Sequence, residues 1–200
     1  MIAIIDYGMG NLGSVKKALN FLGYEAVITD SPSQAMSAAG LILPGVGAMA
    51  HAMQALRDKG MDRVVFDYVD TGRPFLGICL GMQMLFDSTQ EGDGTVTGLG
   101  LMPGRVVRFS AEYGLKIPQI GWNNLVTVSD PALRKDDYVY FVHSYYCVPD
   151  HAQDVAATTL YGVEYASAVA RGNILATQFH PEKSGEVGLA ILNRWARRTR

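Results

Sequence analysis

Cys79 stands in the run Phe75-Leu76-Gly77-Ile78-Cys79-Leu80-Gly81-Met82-Gln83, an apolar stretch that passes directly into Gly-x-Cys-x-Gly. A buried strand turning sharply into a helix, with the nucleophile at the turn, is the elbow arrangement of hydrolases, here with cysteine in place of serine. The flanking glycines permit a turn tight enough to raise the thiol at the strand's carboxyl end. The helix N-terminus beyond it favours the thiolate, which is the reactive form. The competing reading, a small buried apolar cysteine, suits Cys147 within Tyr145-Tyr146-Cys147-Val148-Pro149 better.

A thiol nucleophile needs a base, and the chain has four histidines. His51 lies in a helical pattern and His151 in a polar turn, so both read as structural or solvated. His143, beside Ser144 on a strand, is possible. His180 is the best placed, because Gln178-Phe179-His180-Pro181-Glu182 closes a strand. Residues i and i+2 of an extended segment point the same way, so Glu182 can hold one ring nitrogen while the other works. Cys79, His180 and Glu182 thus form a triad by role. Gln83, four residues past Cys79, shares its helix face and can meet a substrate amide. Two cysteines are too few for a zinc site or a disulfide framework, and no metal or organic cofactor is expected.

These residues need a scaffold. Apolar runs at Ile2–Ile5, 25–28, 41–43 and 74–78 alternate with helical patterns at 14–22, 48–59 and 61–70, and Ser31-Pro32 reads as a helix start. A further helix is expected over 80–88. Strand–helix–strand alternation implies right-handed crossovers and a parallel sheet with helices on both faces. Beyond Gly100 the segments 105–109, 119–128, 138–148, 155–161, 164–171 and 174–179 read as extended, with a turn at Gly172-Asn173 and a last helix over 184–198. The expected fold is α/β: a mostly parallel central sheet with flanking helices, its second half rich in antiparallel strands, in a single domain over 1–200.

Of the 200 residues 48% are hydrophobic and 18% charged, and the net charge is −2. That balance excludes disorder, and it supplies no basic field for nucleic acid or an anionic membrane. The longest stretch without Asp, Glu, Lys or Arg, Ser31 to Leu56, is interrupted by prolines and glycines and cannot be one spanning helix. A reduced, cytoplasmic location is the default expectation.

Gly8-Met9-Gly10-Asn11-Leu12-Gly13 matches G-x-G-x-x-G after a strand, with Asp30 lying 22 residues beyond Gly8. This is the context of a dinucleotide-binding fingerprint, so an NAD-binding oxidoreductase is one alternative. Asp6-Tyr7 intervene before the first glycine, and the remaining chain would have to hold a whole substrate domain. A tight turn, or a surface loop that meets a partner, explains the same residues.

The elbow together with His180-Pro181-Glu182 resembles the class I (triad) glutamine amidotransferases. Within that class, five segments in order resemble the glutaminase subunits of imidazole glycerol phosphate synthases. They are Asp6-Tyr7-Gly8-Met9-Gly10-Asn11, Leu43-Pro44-Gly45-Val46-Gly47, Gly121-Trp122-Asn123, His143-Ser144-Tyr145 and His180-Pro181-Glu182-Lys183-Ser184. The glutaminase of pyridoxal phosphate synthase is the nearest competitor, but it lacks the Gly-Trp-Asn and His-Ser-Tyr combination.

The resemblance implies hydrolysis of glutamine to glutamate and ammonia through a thioester on Cys79. The backbone N–H groups of Leu80 and Val46 would form the oxyanion hole, with Gly45 and Gly47 letting the Val46 peptide flip. Gly47, Gln83, Ser144 and Tyr145 would surround the substrate. It further implies a heterodimer with a (β/α)8-barrel cyclase, which uses the ammonia to convert an open-chain ribulosyl aminoimidazole nucleotide (PRFAR) to imidazole glycerol phosphate and AICAR in histidine biosynthesis. Asn11, Trp122, Asn123 and Lys183 are the interface candidates. Trp122 suits an interface anchor and, from sequence alone, equally a core position.

Overall fold

The computed structural model describes residues 1–92 and 96–200, with Tyr113 described by its backbone alone. Strands β1 (Ile2–Ile5), β2 (Ala26–Thr29), β3 (Gly40–Gly45) and β4 (Phe75–Cys79) alternate with helices α1 (Leu12–Phe21), α2 (Pro32–Ser37), α3 (Met49–Asp58) and α4 (Met61–Asp70). Then come α5 (Leu80–Gln83), β5 (Phe86–Thr89), β6 (Met102–Arg108), β7 (Gln119–Asn124), β8 (Thr127–Val128), β9 (Tyr138–His143) and β10 (Tyr145–Pro149). The chain closes with β11 (Val155–Tyr161), β12 (Val163–Arg171), β13 (Ile174–Thr177) and α6 (Gly185–Ala196).

The main sheet runs β2-β1-β3-β4-β13-β12-β10-β6-β5, with β11 paired to β12 and β8 to β11. From β2 to β13 neighbours are parallel; from β13 to β6 they are antiparallel. The α/β architecture is as the sequence predicts. The continuous apolar runs are explained by burial on both faces. Ala3 and Ile5 of β1 face a cluster with Met53, Leu56 and Val65 of α3 and α4, whereas Ile2 and Ile4 face Val15, Leu19, Leu192 and Trp195 of α1 and α6.

Several local expectations fail. The run 174–179 ends as a strand at Thr177, and His180-Pro181-Glu182 enters a 3-10 turn over 181–183 instead of closing a strand. The helix expected over 80–88 stops after one turn. The carbonyls of Met84, Leu85 and Phe86 accept from Leu99, Leu101 and Gly100 instead, and Phe86–Thr89 joins the sheet. The extended run 138–148 is cut at Ser144: β9 pairs with β7 in a separate two-stranded ribbon, while β10 enters the main sheet. The run 119–128 likewise divides into β7 and β8. Pro32 does occupy the first turn of α2, but Ser31 makes no side-chain cap bond.

Candidate active site

Cys79 ends β4 with φ 55° and ψ −110°, a left-handed conformation for a non-glycine residue. Such a backbone costs on the order of 1–3 kcal/mol and persists only where its surroundings enforce it. They do so by close packing. A Cβ on Gly81 would lie 1.9 Å from the Leu43 carbonyl oxygen, and one on Gly77 would lie 3.0 Å from the Ala176 Cβ. The glycines of the elbow therefore let β3, β4 and the start of α5 approach one another.

The neighbours of β4 in the sheet supply the rest. Gly45 at the end of β3 is in register with Cys79, and Thr177 at the end of β13 is in register with Ile78. The segment after β13 brings Gln178 and His180 in beside the elbow, so the site lies at the carboxyl ends of adjacent parallel strands, the usual location in open α/β sheets. His180 Nδ1 is 2.8 Å from Glu182 Oε1, and both side chains are 2% exposed. Nε2, the other ring nitrogen, is buried and makes no well-formed hydrogen bond among the described residues; its polar neighbour is the Cys79 sulfur. Burial opposes a charge on His180, but the polar contacts and charges of Cys79 and Glu182 outweigh it and raise its pKa to about 9.

In front of Cys79 lies a cavity of about 420 Å³ lined by Val46, Gly47, Leu80, Gln83, Ser144 and Tyr145, with Glu91, His143 and Lys183 also on its wall. That volume suits a small amino acid. Leu80 is the first helical residue of α5, so its N–H has no intrahelical acceptor. Gly47 has φ 92°, which favours glycine. Gly45 is needed for another reason: a Cβ there would lie 2.7 Å from the Tyr7 hydroxyl and 2.9 Å from the Leu80 Cβ. Packing, more than freedom to flip, fixes that position. Tyr7 donates to the Pro44 carbonyl at 2.9 Å, and burial together with the Cys79 charge pushes its phenol well up.

The remaining sequence candidates separate. His143 is buried, with Nδ1 2.7 Å from the Tyr145 carbonyl and Nε2 beside Gln119 and Tyr165; burial lowers its pKa to about 4. Its ring nitrogens are thus occupied, and it is not a base for Cys79. Tyr145 lines the cavity, while Tyr146 stacks against Phe109 with ring centroids 4.8 Å apart. Cys147 is fully enclosed, and burial pushes its thiol well up. Trp122 is 56% exposed, which overturns the core alternative; Trp195 is the core tryptophan. With Ile120 and Tyr138 it forms an exposed apolar face on the β7–β9 ribbon. Lys183 and Asn11 are exposed. Asn123 is turned inward: its amide donates to the Leu160 carbonyl at 2.9 Å and its oxygen accepts from the Asn124 N–H.

The glycine loop before α1 is not a phosphate cradle. Gly10 lies against Pro44 and Gly45 of the site's own loop, and Asp30 is paired with Lys59 at 3.4 Å. Two site residues escaped the sequence reading. Glu91, in a loop after β5, carried no pattern. Its Oε2 accepts the Met49 N–H at 2.6 Å, and its carboxylate is on the cavity wall. Gln178 stands two residues before His180, just past the end of β13. It is wholly buried, with its amide nitrogen 3.7 Å from the Cys79 sulfur.

Residues 3–197 match the model of the glutamine amidotransferase class-I family. The chain is 51% identical to imidazole glycerol phosphate synthase subunit HisH of Geobacillus sp. (strain WCH70), covering 98% of this chain and 96% of that protein. It is 48% identical to the HisH subunit of Chlorobaculum tepidum, covering 98% and 99%. It is also 46% identical to the chloroplastic imidazole glycerol phosphate synthase hisHF of Arabidopsis thaliana, covering 98% of this chain but 34% of that longer protein. Among solved structures, a glutamine amidotransferase superposes with TM-score 0.77 at 20% identity over 100% of this chain and 99% of that one. PurLQS from Thermotoga maritima gives 0.72 at 18% identity, over 98% and 97%. An elbow cysteine beside a buried histidine–carboxylate pair is suited to opening a carboxamide, and the chain belongs to the class-I glutamine amidotransferases.

Proposed function

We propose that this chain is the glutaminase subunit of an imidazole glycerol phosphate synthase, acting as one amidotransferase domain that hydrolyses glutamine and passes the ammonia to a cyclase. The observation that carries the chemistry is the strained Cys79 elbow opening on a cavity of amino-acid size beside the His180–Glu182 pair. The relatives, subunits of imidazole glycerol phosphate synthases, point to the acceptor reaction.

In this reading the Cys79 sulfur attacks the carboxamide carbon, and the oxyanion is met by the N–H groups of Leu80 and Val46. His180 Nε2 delivers its proton to the departing nitrogen, the C–N bond breaks, and ammonia leaves a thioester. Water then adds to the thioester with His180 as base; the C–S bond breaks, releasing glutamate and restoring the thiolate beside a protonated His180. The pKa of about 9 keeps His180 protonated at neutral pH, as the first step's leaving group needs.

The substrate's features have complements on the cavity wall. Both hydrogens of the Gln83 amide are committed, to the Tyr145 carbonyl and to Gln178 Oε1, each at 3.0 Å. Its free oxygen can only accept, which suits the amide N–H of glutamine and disfavours the carboxylate of glutamate. The Glu91 carboxylate on the same wall suits an α-ammonium group. Gly47, Ser144 and Tyr145 complete the enclosure.

A barrel cyclase, as heterodimer partner in the cytoplasm, would cover the mouth at Lys183 and bury the Ile120–Trp122–Tyr138 face, with Asn11 on the same rim and Asn123 supporting the ribbon. β9 could relay that contact inward: Tyr140 accepts the His180 N–H through its carbonyl at 3.0 Å and donates its own N–H to Ser184 Oγ at 3.0 Å. The ammonia would serve conversion of PRFAR to imidazole glycerol phosphate and AICAR. The test is glutamate release by the chain alone and with a cyclase subunit and its nucleotide. Slow turnover alone, a steep rise in the complex, and loss of glutamine-dependent product in Cys79→Ala with ammonium-dependent product retained are expected. Glutamine-dependent product from the Cys79→Ala complex would overturn the mechanism.

A further inference from the structure

We infer that Gln178 is a further active-site residue: its amide N–H donates to the Cys79 sulfur, and its carbonyl locks Gln83 with the acceptor oxygen toward the substrate. This rests on Cys79 acting as the nucleophile of glutamine hydrolysis.

The orientation of the relay is dictated by a group that cannot flip. The Tyr145 carbonyl is an acceptor only, so the Gln83 atom 3.0 Å away must be the amide nitrogen. That same nitrogen is 3.0 Å from one terminal atom of Gln178, which must then be the oxygen. The nitrogen of Gln178 is thereby left facing Cys79 Sγ at 3.7 Å, a donor aimed at the reacting atom. Rotating either amide would set oxygen against oxygen or nitrogen against nitrogen.

The carbonyl at the head of the relay is itself held. His143 is neutral at physiological pH, and because its Nδ1 faces an acceptor, that nitrogen carries the proton and donates to the Tyr145 oxygen at 2.7 Å. Both lone pairs of the Tyr145 carbonyl are therefore used. The chain His143–Tyr145–Gln83–Gln178–Cys79 is buried where polar contacts are strong, and Gln178 and Cys79 are 0% and 6% exposed. A donor at sulfur binds the thiolate far better than the thiol, so its effect should appear where the two forms compete. The backbone already places it: Gln178 N–H donates to the Ser167 carbonyl at the bend where the chain leaves β13.

The test is alkylation of Cys79 by iodoacetamide across pH, with the modified residue identified by mass spectrometry and glutamate release measured in parallel. Gln178→Met keeps the volume and removes the donor. The rate at pH 7 should fall about tenfold and converge with wild type at high pH, where every thiol is ionised. The kcat for glutamine should fall by a similar factor, and KM should rise as Gln83 is freed to turn. Gln178→Asn, which retains an amide too short to span the gap, should show the same loss near neutrality and serves if the Met variant does not fold. A wild-type alkylation profile in whichever variant folds would overturn the inference, as would an equal loss at every pH, which is the signature of altered packing alone. A wild-type protein that releases no glutamate, alone or with a cyclase, would instead sink the reading on which the inference rests.

Discussion

Replacing Glu182 by Gln keeps the shape of the triad and removes only a charge, so it isolates what the carboxylate contributes. The carboxylate oxygen is 2.8 Å from His180 Nδ1 and both side chains are 2% exposed, which leaves water little part in screening the pair. A charge-assisted hydrogen bond of this kind is worth about 1.5–3 kcal/mol, which corresponds to roughly 10–150-fold in an equilibrium or rate. His180 is displaced upward from 6.5 to about 9, with burial opposing and Cys79 and Glu182 together overcoming it. Without the carboxylate, burial is opposed by Cys79 alone, so the imidazole should titrate well below the wild-type value. The stability sign follows from linkage. A raised histidine pKa contributes stability that is fully present below about 6.5 and is lost as pH rises through about 9. The melting difference between wild type and Glu182→Gln should therefore be greatest at acid to neutral pH and shrink above 9. Imidazole NMR titration, glutamate release and melting curves at three pH values make the assay. Glutamate release should fall about 10–100-fold. An unchanged His180 titration, or a melting difference that grows with pH, would refute the reasoning.

Two further outcomes follow from the geometry. Gly81→Ala places a Cβ 1.9 Å from the Leu43 carbonyl oxygen, a backbone atom that cannot move aside cheaply. It should lower stability by about 3 kcal/mol and Tm by roughly 6–12 °C, with glutaminase activity lost; a Tm within experimental error of wild type would contradict the packing account of the elbow. Trp122→Ala removes an exposed ring, so the isolated chain should melt as wild type while affinity for the cyclase drops at least about 30-fold, as for an interface anchor. Equal affinity by calorimetry would remove Trp122 from the interface.

The two kinds of information divide along a physical line. Where a signal is local, the sequence suffices. Paired glycines about Cys79 predict a tight turn, and uninterrupted apolar runs predict strands buried on both faces; the structure has both, and it has the expected His180–Glu182 contact, though across a 3-10 turn over 181–183 and not along an extended segment. What depends on partners distant in the chain was not legible. The segment after Met84 carries a helical pattern, but the carbonyls of Met84–Phe86 accept from residues 99–101, and Phe86–Thr89 pairs with β6 as a strand. Trp122 has the same composition around it whether core or surface, and only the separation of β7 and β9 into their own ribbon leaves it exposed. Gly45 reads as freedom of a loop, whereas the Tyr7 hydroxyl and Leu80 packed above it make it a matter of space. His143 and His180 are alike as residues. One is held neutral and the other protonated by what surrounds their ring nitrogens, burial and the Tyr145 carbonyl in the first case and the Glu182 carboxylate with Cys79 in the second. Hydrogen-bond partners contributed by other strands have no periodicity of their own, so tertiary structure alone decides them.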